Sequence, residues 1–427
     1  MVYQATDGIE ESFCGDHHCW KRVGPILTAP VDTHFGDVIS ISSLNDDNLR
    51  FVVSAIKEIG CNGEDSGIIR VYDLLEGGGG LKQVGQAIEG VVEKGDARGY
   101  ISGDGRIVAV GMPSSNGLND INNIGGWSML EYDDRMDRWV DLGDPVYGNQ
   151  RQSRLGHTMA LSFDGSIVAV SAPMSDDKMG HVSVYRFNND TGYRHWEQLG
   201  QTIFAQTRNP NDLFGADLDL TDNGLVLAVG QRSHDRSKSF LENKGRVAIF
   251  HFINETWEAM GSEILGEQTG DAFGRSVGLS VGGGVLVGGV NGDYAYGISN
   301  NGRSAHVRAF TFNQAKSEWE QLGSDIIGNV TLGGNALNKV AINAEGNRIA
   351  LTTQRVRGVG EGSSQVFEFD KDLNDWRQLG GTIRQEWQTD DHGGSIALSG
   401  DGNVVIVGAP ADNVNGTVRV YKLLENK

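Results

Sequence analysis

The sequence predicts an all-β protein, a single closed ring of seven blades in which each blade is a four-stranded antiparallel sheet. Three observations predict it. The first is an anchor, an aromatic or large apolar residue followed four positions later by Gly, at Trp20/Gly24, Leu81/Gly85, Trp139/Gly143, Trp196/Gly200, Trp257/Gly261, Trp319/Gly323 and Trp376/Gly380. Successive anchor glycines are 61, 58, 57, 61, 62 and 57 residues apart, and self-similarity at a near-constant period of this length marks a repeat architecture. The second is a hairpin grammar within every period. The third is that no window shows the 3.6-residue apolar periodicity of a long amphipathic helix, so almost no helix is expected. Seven copies of a four-strand unit make a β-propeller, whereas a two-sheet sandwich has no need of the same unit seven times.

The unit is clearest between Trp139 and Tyr185. Residues 159–162 and 167–172 are apolar, β-branched runs separated by Phe163-Asp164-Gly165. Asp-Gly is the strongest short hairpin signal, because Gly adopts φ > 0 without a Cβ clash. A third run, 181–187, alternates Val182, Val184 and Phe187 with polar residues, and Trp196 opens a fourth, WEQLGQTI. Repeat one continues from Phe35-Gly36 through strands near 38–42, 51–55 and 68–72. Repeat two holds SGDGRIVAVGMP at 102–113 and a long Asn-rich loop, 114–125. Repeat four spans 213–230 before a charged loop at 231–244, and repeat five spans 271–289 before a Tyr- and Gly-bearing loop at 290–302. Repeat six, at 338–353, is the most degraded. Repeat seven restores the pattern at 392–410 and ends on GTVRVYKL, 416–423. Residues 1–19 are left as an N-terminal tail, and 20–427 form a single domain with repeats starting near 20, 81, 139, 196, 257, 319 and 376.

Composition limits the function classes. With 61 Gly and only 7 Pro in 427 residues, the chain suits tight turns and strands. A net charge of −20 argues against nucleic acid, which needs clustered Lys and Arg, and equally against an anionic membrane surface. No run of eighteen apolar residues exists to span a bilayer. The polar first twenty residues hold no signal peptide in this numbering, so an extracellular or cell-surface location takes Met1 as a trimmed start. The four Asn-x-Thr sequons, at Asn189, Asn254, Asn329 and Asn415, are near chance for an Asn-rich chain. CGDHHC at 14–19 packs two Cys and two His too tightly to wrap one zinc ion tetrahedrally. A Cys14–Cys19 disulfide loop, a pairing of either with Cys61, and free thiols are the alternatives.

Phe-Gly-x-Ser-Val-x-Leu-Ser at 273–280, Val-Gly-Ala-Pro at 407–410 and Gly-x-Val-x-Val-Tyr at 416–421 resemble FG-GAP repeats, the unit of the integrin α-subunit seven-bladed propeller. Combined with Trp-x-Gln-Leu-Gly at 196–200 and 319–323, they resemble a subgroup common in secreted or surface proteins. The resemblance implies phase and closure: each repeat's Trp strand is the outer strand of the preceding blade, so Trp20 to Ile26 completes the last blade and removes an open sheet edge. It also implies Ca²⁺ loops of the form Asp-x-Asp-x-Asp-Gly, from which this chain departs. Its turns hold Asp104-Gly105, Asp164-Gly165, Asp222-Asn223-Gly224 and Asp401-Gly402, mostly one carboxylate each. They read as hairpin turns, with no cofactor expected and Ca²⁺ the only ion the resemblance suggests.

Recognition on a rigid scaffold concentrates in variable loops, and here the loop between the second and third strands varies most. In integrin-type propellers that loop lies on the ligand-binding face. Arg232, His234, Asp235 and Arg236 would then adjoin Asp293, Tyr294 and Tyr296, with Trp387 on the same side. A second set, His157, Asp212, Asp271, Asp390 and His392, lies within a few residues of the Phe-Gly glycines or their equivalents and is placed at the channel mouth, with turn capping as the plainer role for the aspartates. The repeated Trp either stacks a sugar or packs between sheets. No Ser or Cys nucleophile stands in a catalytic motif. The expected function is therefore a non-enzymatic adhesion propeller that binds a protein or carbohydrate ligand through one face. A lyase or hydrolase at the channel mouth and a structural module of a larger surface scaffold are the alternatives.

Overall fold

The structure is a computed structural model that describes residues 4–5, 12–15, 18–30, 33–42, 49–60, 66–75, 80–90, 96–117, 121–190, 192–232, 244–268, 270–290, 306–328, 335–355, 362–384, 393–410 and 416–425. Seven antiparallel sheets follow one another along the chain. Blade 3 shows the pattern: Met159–Leu161, Ile167–Ala172, His181–Asn188 and His195–Gln198 pair in chain order. The first strands of blades 1 to 7 are Phe35–Ile41, Arg98–Ile101, Met159–Leu161, Phe214–Leu220, Val277–Leu279, Asn335–Ile342 and Ser395–Leu398. Residues from all seven line a single axial cavity, so these strands form the inner wall of the ring. The sheets pack face to face around the axis, and apolar residues of the second strands are fully enclosed, as at Val52, Val108, Val168 and Leu286. The fold is thus the seven-bladed, nearly helix-free propeller that the repeats predict. The only helical turn among the described residues, Ser175–Lys178, carries left-handed dihedrals at Asp176 and Asp177.

The anchor has a specific meaning in three dimensions. Each anchor Trp donates its indole N–H to the carbonyl just before the preceding anchor's Gly. Trp139 reaches Val84 at 3.0 Å, Trp196 reaches Leu142 at 3.0 Å and Trp257 reaches Leu199 at 2.9 Å. Trp319 reaches Met260, Trp376 reaches Leu322 and Trp20 reaches Leu379, each at 2.8 Å. The Gly itself is flat against the ring: at Gly85, φ is +65° and an added Cβ would lie 2.9 Å from Trp139 Cδ1. The tryptophans are therefore packing groups between neighbouring blades, the role with the larger apolar return. A feature that pattern reading missed is a two-residue strand after the anchor, as at Ile88–Glu89, which pairs with the start of the third strand. Two residues are too few to show a period.

Closure runs through blade 7. His18–Thr28 pairs with Thr417–Glu425, from His18↔Glu425 to Thr28↔Thr417, with a register shift between Val23 and Leu27. Trp20 is fully buried there. Part of the segment read as a tail joins the same sheet: Ser12–Cys14 and Gln4–Ala5 both pair with this clasp strand. A Cys14–Cys19 disulfide closes the resulting hairpin. Phe13 packs edge-on against Tyr421, and the Gly381 amide donates to the Phe13 carbonyl, so the hairpin spans the seam between blades 6 and 7.

Candidate functional site: the mouth of the axial channel

The site begins with a glycine. The Gly of the Phe-Gly motif takes φ of +90° at Gly36 and +87° at Gly215, and its Leu-Gly equivalent in blade 3 takes +84° at Gly156. Such values exclude a side chain, and a Cβ on Gly36 would lie 2.9 Å from the Thr417 carbonyl of the preceding blade. The chain turns here into the innermost strand, so the next one or two residues face the axis. They include Asp37 after Gly36, His157 after Gly156 and Asp217 two places after Gly215. The ladder puts Arg98, Asp217 and Lys339 at one level, opposite Gly111, Gly230 and Thr352 of their second strands. The cavity they line has a volume of about 560 Å³.

Polar contacts fix these groups. Lys339 of blade 6 reaches past blade 5 to Asp217 of blade 4, with Nζ 3.2 Å from Oδ2. The same carboxylate oxygen accepts the Val277 amide at 3.1 Å. Two residues deeper, Asp219 accepts the amides of Leu279 at 2.7 Å and Leu220 at 2.9 Å. The His157 carbonyl accepts Arg98 Nη1 at 3.0 Å and the Tyr100 hydroxyl at 3.3 Å, which pins the turn that carries the imidazole. Its ring Nδ1 lies 3.2 Å from Thr158 Oγ1.

The electrostatics follow from burial and from the two cations. Burial, reinforced by Arg98, Lys339 and Arg154, holds the His157 imidazole well below its usual range, so it is neutral near pH 7. Burial raises the Asp37 carboxyl against the opposing pull of Arg98, His34 and Lys339. Burial pushes Asp219 up to about 7 despite its two amide donors, and Tyr100 up to about 12. A neutral imidazole, two carboxyls that hold protons above the ordinary range and two cations thus share one cavity. That set can accept a proton, donate one and stabilise developing negative charge.

Of the residues expected from sequence at the mouth, His157 lines the cavity. Asp212 and Asp271 serve their own turns. Asp212 accepts Asn209 N at 3.1 Å and Gln231 Nε2 at 2.7 Å and pairs with Arg246 at 3.3 Å, and Asp271 accepts the Glu267 and Gln268 amides at 2.8 and 2.7 Å. Asp390 and His392 lie outside the described residues, as do His234, Asp235, Arg236, Asp293, Tyr294, Tyr296 and Trp387. Arg232 is half-buried at the end of the second strand of blade 4. Asp104, Asp164 and Asp401 each accept the hydroxyl two residues before them, from Ser102, Ser162 and Ser399. Among the described residues no group of three or more His, Cys, Asp or Glu side chains is arranged to hold a metal ion. Nor is any helix among them long and apolar enough to cross a membrane. Sequence reasoning missed Asp37, Arg98, Asp217, Asp219 and Lys339. The signal that finds the first is its place immediately after the Phe-Gly glycine.

No family model matches the chain, and no curated protein matches it. Solved structures do. A candidate 6-phosphogluconolactonase from Bacteroides uniformis is 12% identical at a TM-score of 0.54, over 86% of this chain and 92% of that one. The periplasmic gluconolactonase of Pseudomonas aeruginosa is 15% identical at 0.53, over 90% and 94%. An oligogalacturonate lyase from Vibrio parahaemolyticus is 9% identical at 0.52, over 99% and 96%. At these identities the likeness is one of fold. The enzyme names of these three structures stand against the expectation of a non-enzymatic adhesion module and favour its enzyme alternative, without assigning this chain an activity. That expectation also rested on a loop patch of which only Arg232 is described.

Proposed function

We propose that the protein is an enzyme, a hydrolase or lyase that acts on a small polar substrate at the mouth of its axial channel. The observation that carries this reading is the convergence of His157, Asp37, Arg98 and Lys339 from four different blades on one cavity. The lactonase and lyase names of the fold neighbours support it. In this reading His157, uncharged near neutrality, takes a proton from water or from a substrate carbon. Asp37, which retains its proton to higher pH than an exposed carboxyl, returns one to the leaving oxygen. Lys339 and Arg98 stabilise the charge that develops between them. The test is turnover of a panel of aldonolactones and oligouronides by the purified chain, with His157→Asn, Asp37→Asn and, as control, His195→Asn in an outermost strand. General acid–base groups contribute about 10²- to 10⁴-fold, so losses of that size are expected in the first two variants only. Equal activity in all three, or no turnover by the unmodified chain, overturns the proposal.

Two finer readings accompany it. The motifs at 273–280, 407–410 and 416–421 support kinship of the repeats with FG-GAP units, and the Cys14–Cys19 disulfide suits an oxidising compartment.

A further inference from the structure

We infer that the substrate carries an oxyanion, carboxylate or phosphate, and that Arg98 is the residue that receives it. The inference rests on the channel mouth being the reacting site and names what that site selects. Several arginines elsewhere in the ring that are enclosed to a similar degree are matched to carboxylates. Arg70 makes two 2.6 Å bonds to Glu58, Arg50 grips Asp73 at 2.7 Å, Arg246 meets Glu263 at 3.0 Å and Arg348 meets Glu368 at 2.8 Å. Arg98 differs. Its one hydrogen bond is to a main-chain carbonyl, that of His157. Its Nε is shut from solvent without an acceptor, and no carboxylate of the described residues stands within ion-pair distance of it.

The carboxylates of the mouth are otherwise engaged. Asp217 is taken by Lys339 and by the Val277 amide, and Asp219 by two amides deeper in the channel. Asp37 feels the Arg98 charge but lies beyond ion-pair distance of it. A guanidinium that lines an open cavity with no carboxylate in ion-pair contact has high affinity for a planar or tetrahedral oxyanion, which it can hold with two parallel N–H bonds. Because Arg98 is tied to the main chain of His157, an anion bound there lies beside the imidazole. The oxyanion is therefore close to the bond that reacts, and it is a recognition handle that neutral sugars lack.

The experiment is calorimetric titration of the full chain with two probes in separate arms, D-galacturonate for a carboxylate and inorganic phosphate for a phosphate. The neutral methyl ester of galacturonate serves as comparator. Binding in one arm identifies the source of the oxyanion. Arg98→Gln is expected to weaken that binding roughly 10- to 100-fold, the range for a hydrogen-bonded charge pair, and Arg98→Lys to restore part of it. Should Arg98→Gln fail to fold, the ester decides on the unmodified chain alone. The inference is overturned if the ester binds as well as the acid, if neither anion binds, or if a folded Arg98→Gln binds unchanged. Anion binding without turnover of any substrate removes the enzymatic reading and leaves the anion site. Turnover of a neutral lactone by the unmodified chain, with neither anion bound, does the reverse.

Discussion

At the scale of single residues, Asp219 ties the site to the stability of the ring. It is an acid whose carboxyl is desolvated beside Asp217, and burial lifts it to about 7 while two amides pull the other way. An exposed Asp titrates near 3.9. The folded state therefore holds this proton more tightly than the unfolded chain. The stability that results is complete below about pH 4 and is lost as the pH rises through about 7. The urea midpoint of the unmodified chain is expected to fall more steeply between about pH 4 and pH 7 than that of Asp219→Asn. Parallel profiles would show that the carboxyl is not desolvated. Such residues were only partly legible beforehand. His157 is legible because it adjoins a recognisable glycine, whereas Asp212 and Asp271, which share a distance before that glycine, cap loops. Arg98 and Lys339 escaped notice because blades 2 and 6 lack the Phe-Gly pair that marks the start of an inner strand.

At the scale of elements, the strands were legible wherever side chains alternate over a full run and an Asp-Gly or Asn-Gly turn separates two runs. The same reasoning gave the anchor spacing but not its partner. A Trp four residues before a Gly suggests a contact within one repeat, yet Trp139 lies on Gly85, one period earlier. Only the stacking of blades reveals that contact. It makes a specific claim: Gly85→Ala must place a side chain on a left-handed backbone and within 2.9 Å of the indole. The first effect alone costs about 1–2 kcal/mol. Trp139→Ala, which empties a site that is 3% exposed, costs about 3–5 kcal/mol. Denaturant unfolding of the two single variants and of the double variant checks this. If they share one contact, the double variant falls short of the sum.

At the scale of the molecule, the ring is held shut by one sheet assembled from both ends of the described chain. Blades are nearest-neighbour modules, so the seam in blade 7 decides whether seven of them behave as one unit. Removal of residues 1–28 would bare the edge of Thr417–Glu425 and the Gly380 face that Trp20 covers. The expected outcome is a lower, broader thermal transition together with self-association on size-exclusion chromatography, as an uncovered strand edge invites. An unchanged, monomeric transition would mean that packing elsewhere holds the ring. Replacement of Cys14 and Cys19 by Ser tests the outer part of the seam alone, and loop entropy over so short a span predicts a loss of about 2 kcal/mol.

The offset between Trp and Gly also bears on how such a chain is inherited. The stretch of sequence that repeats and the blade that folds are displaced from one another by a strand, so each repeat lends its Trp to the blade before it. Duplication or excision of one whole sequence period would leave every anchor Gly still facing an anchor side chain and every seam between blades intact. What such a change cannot supply is a second clasp, so each altered ring would still have to close through the pairing of His18–Thr28 with Thr417–Glu425.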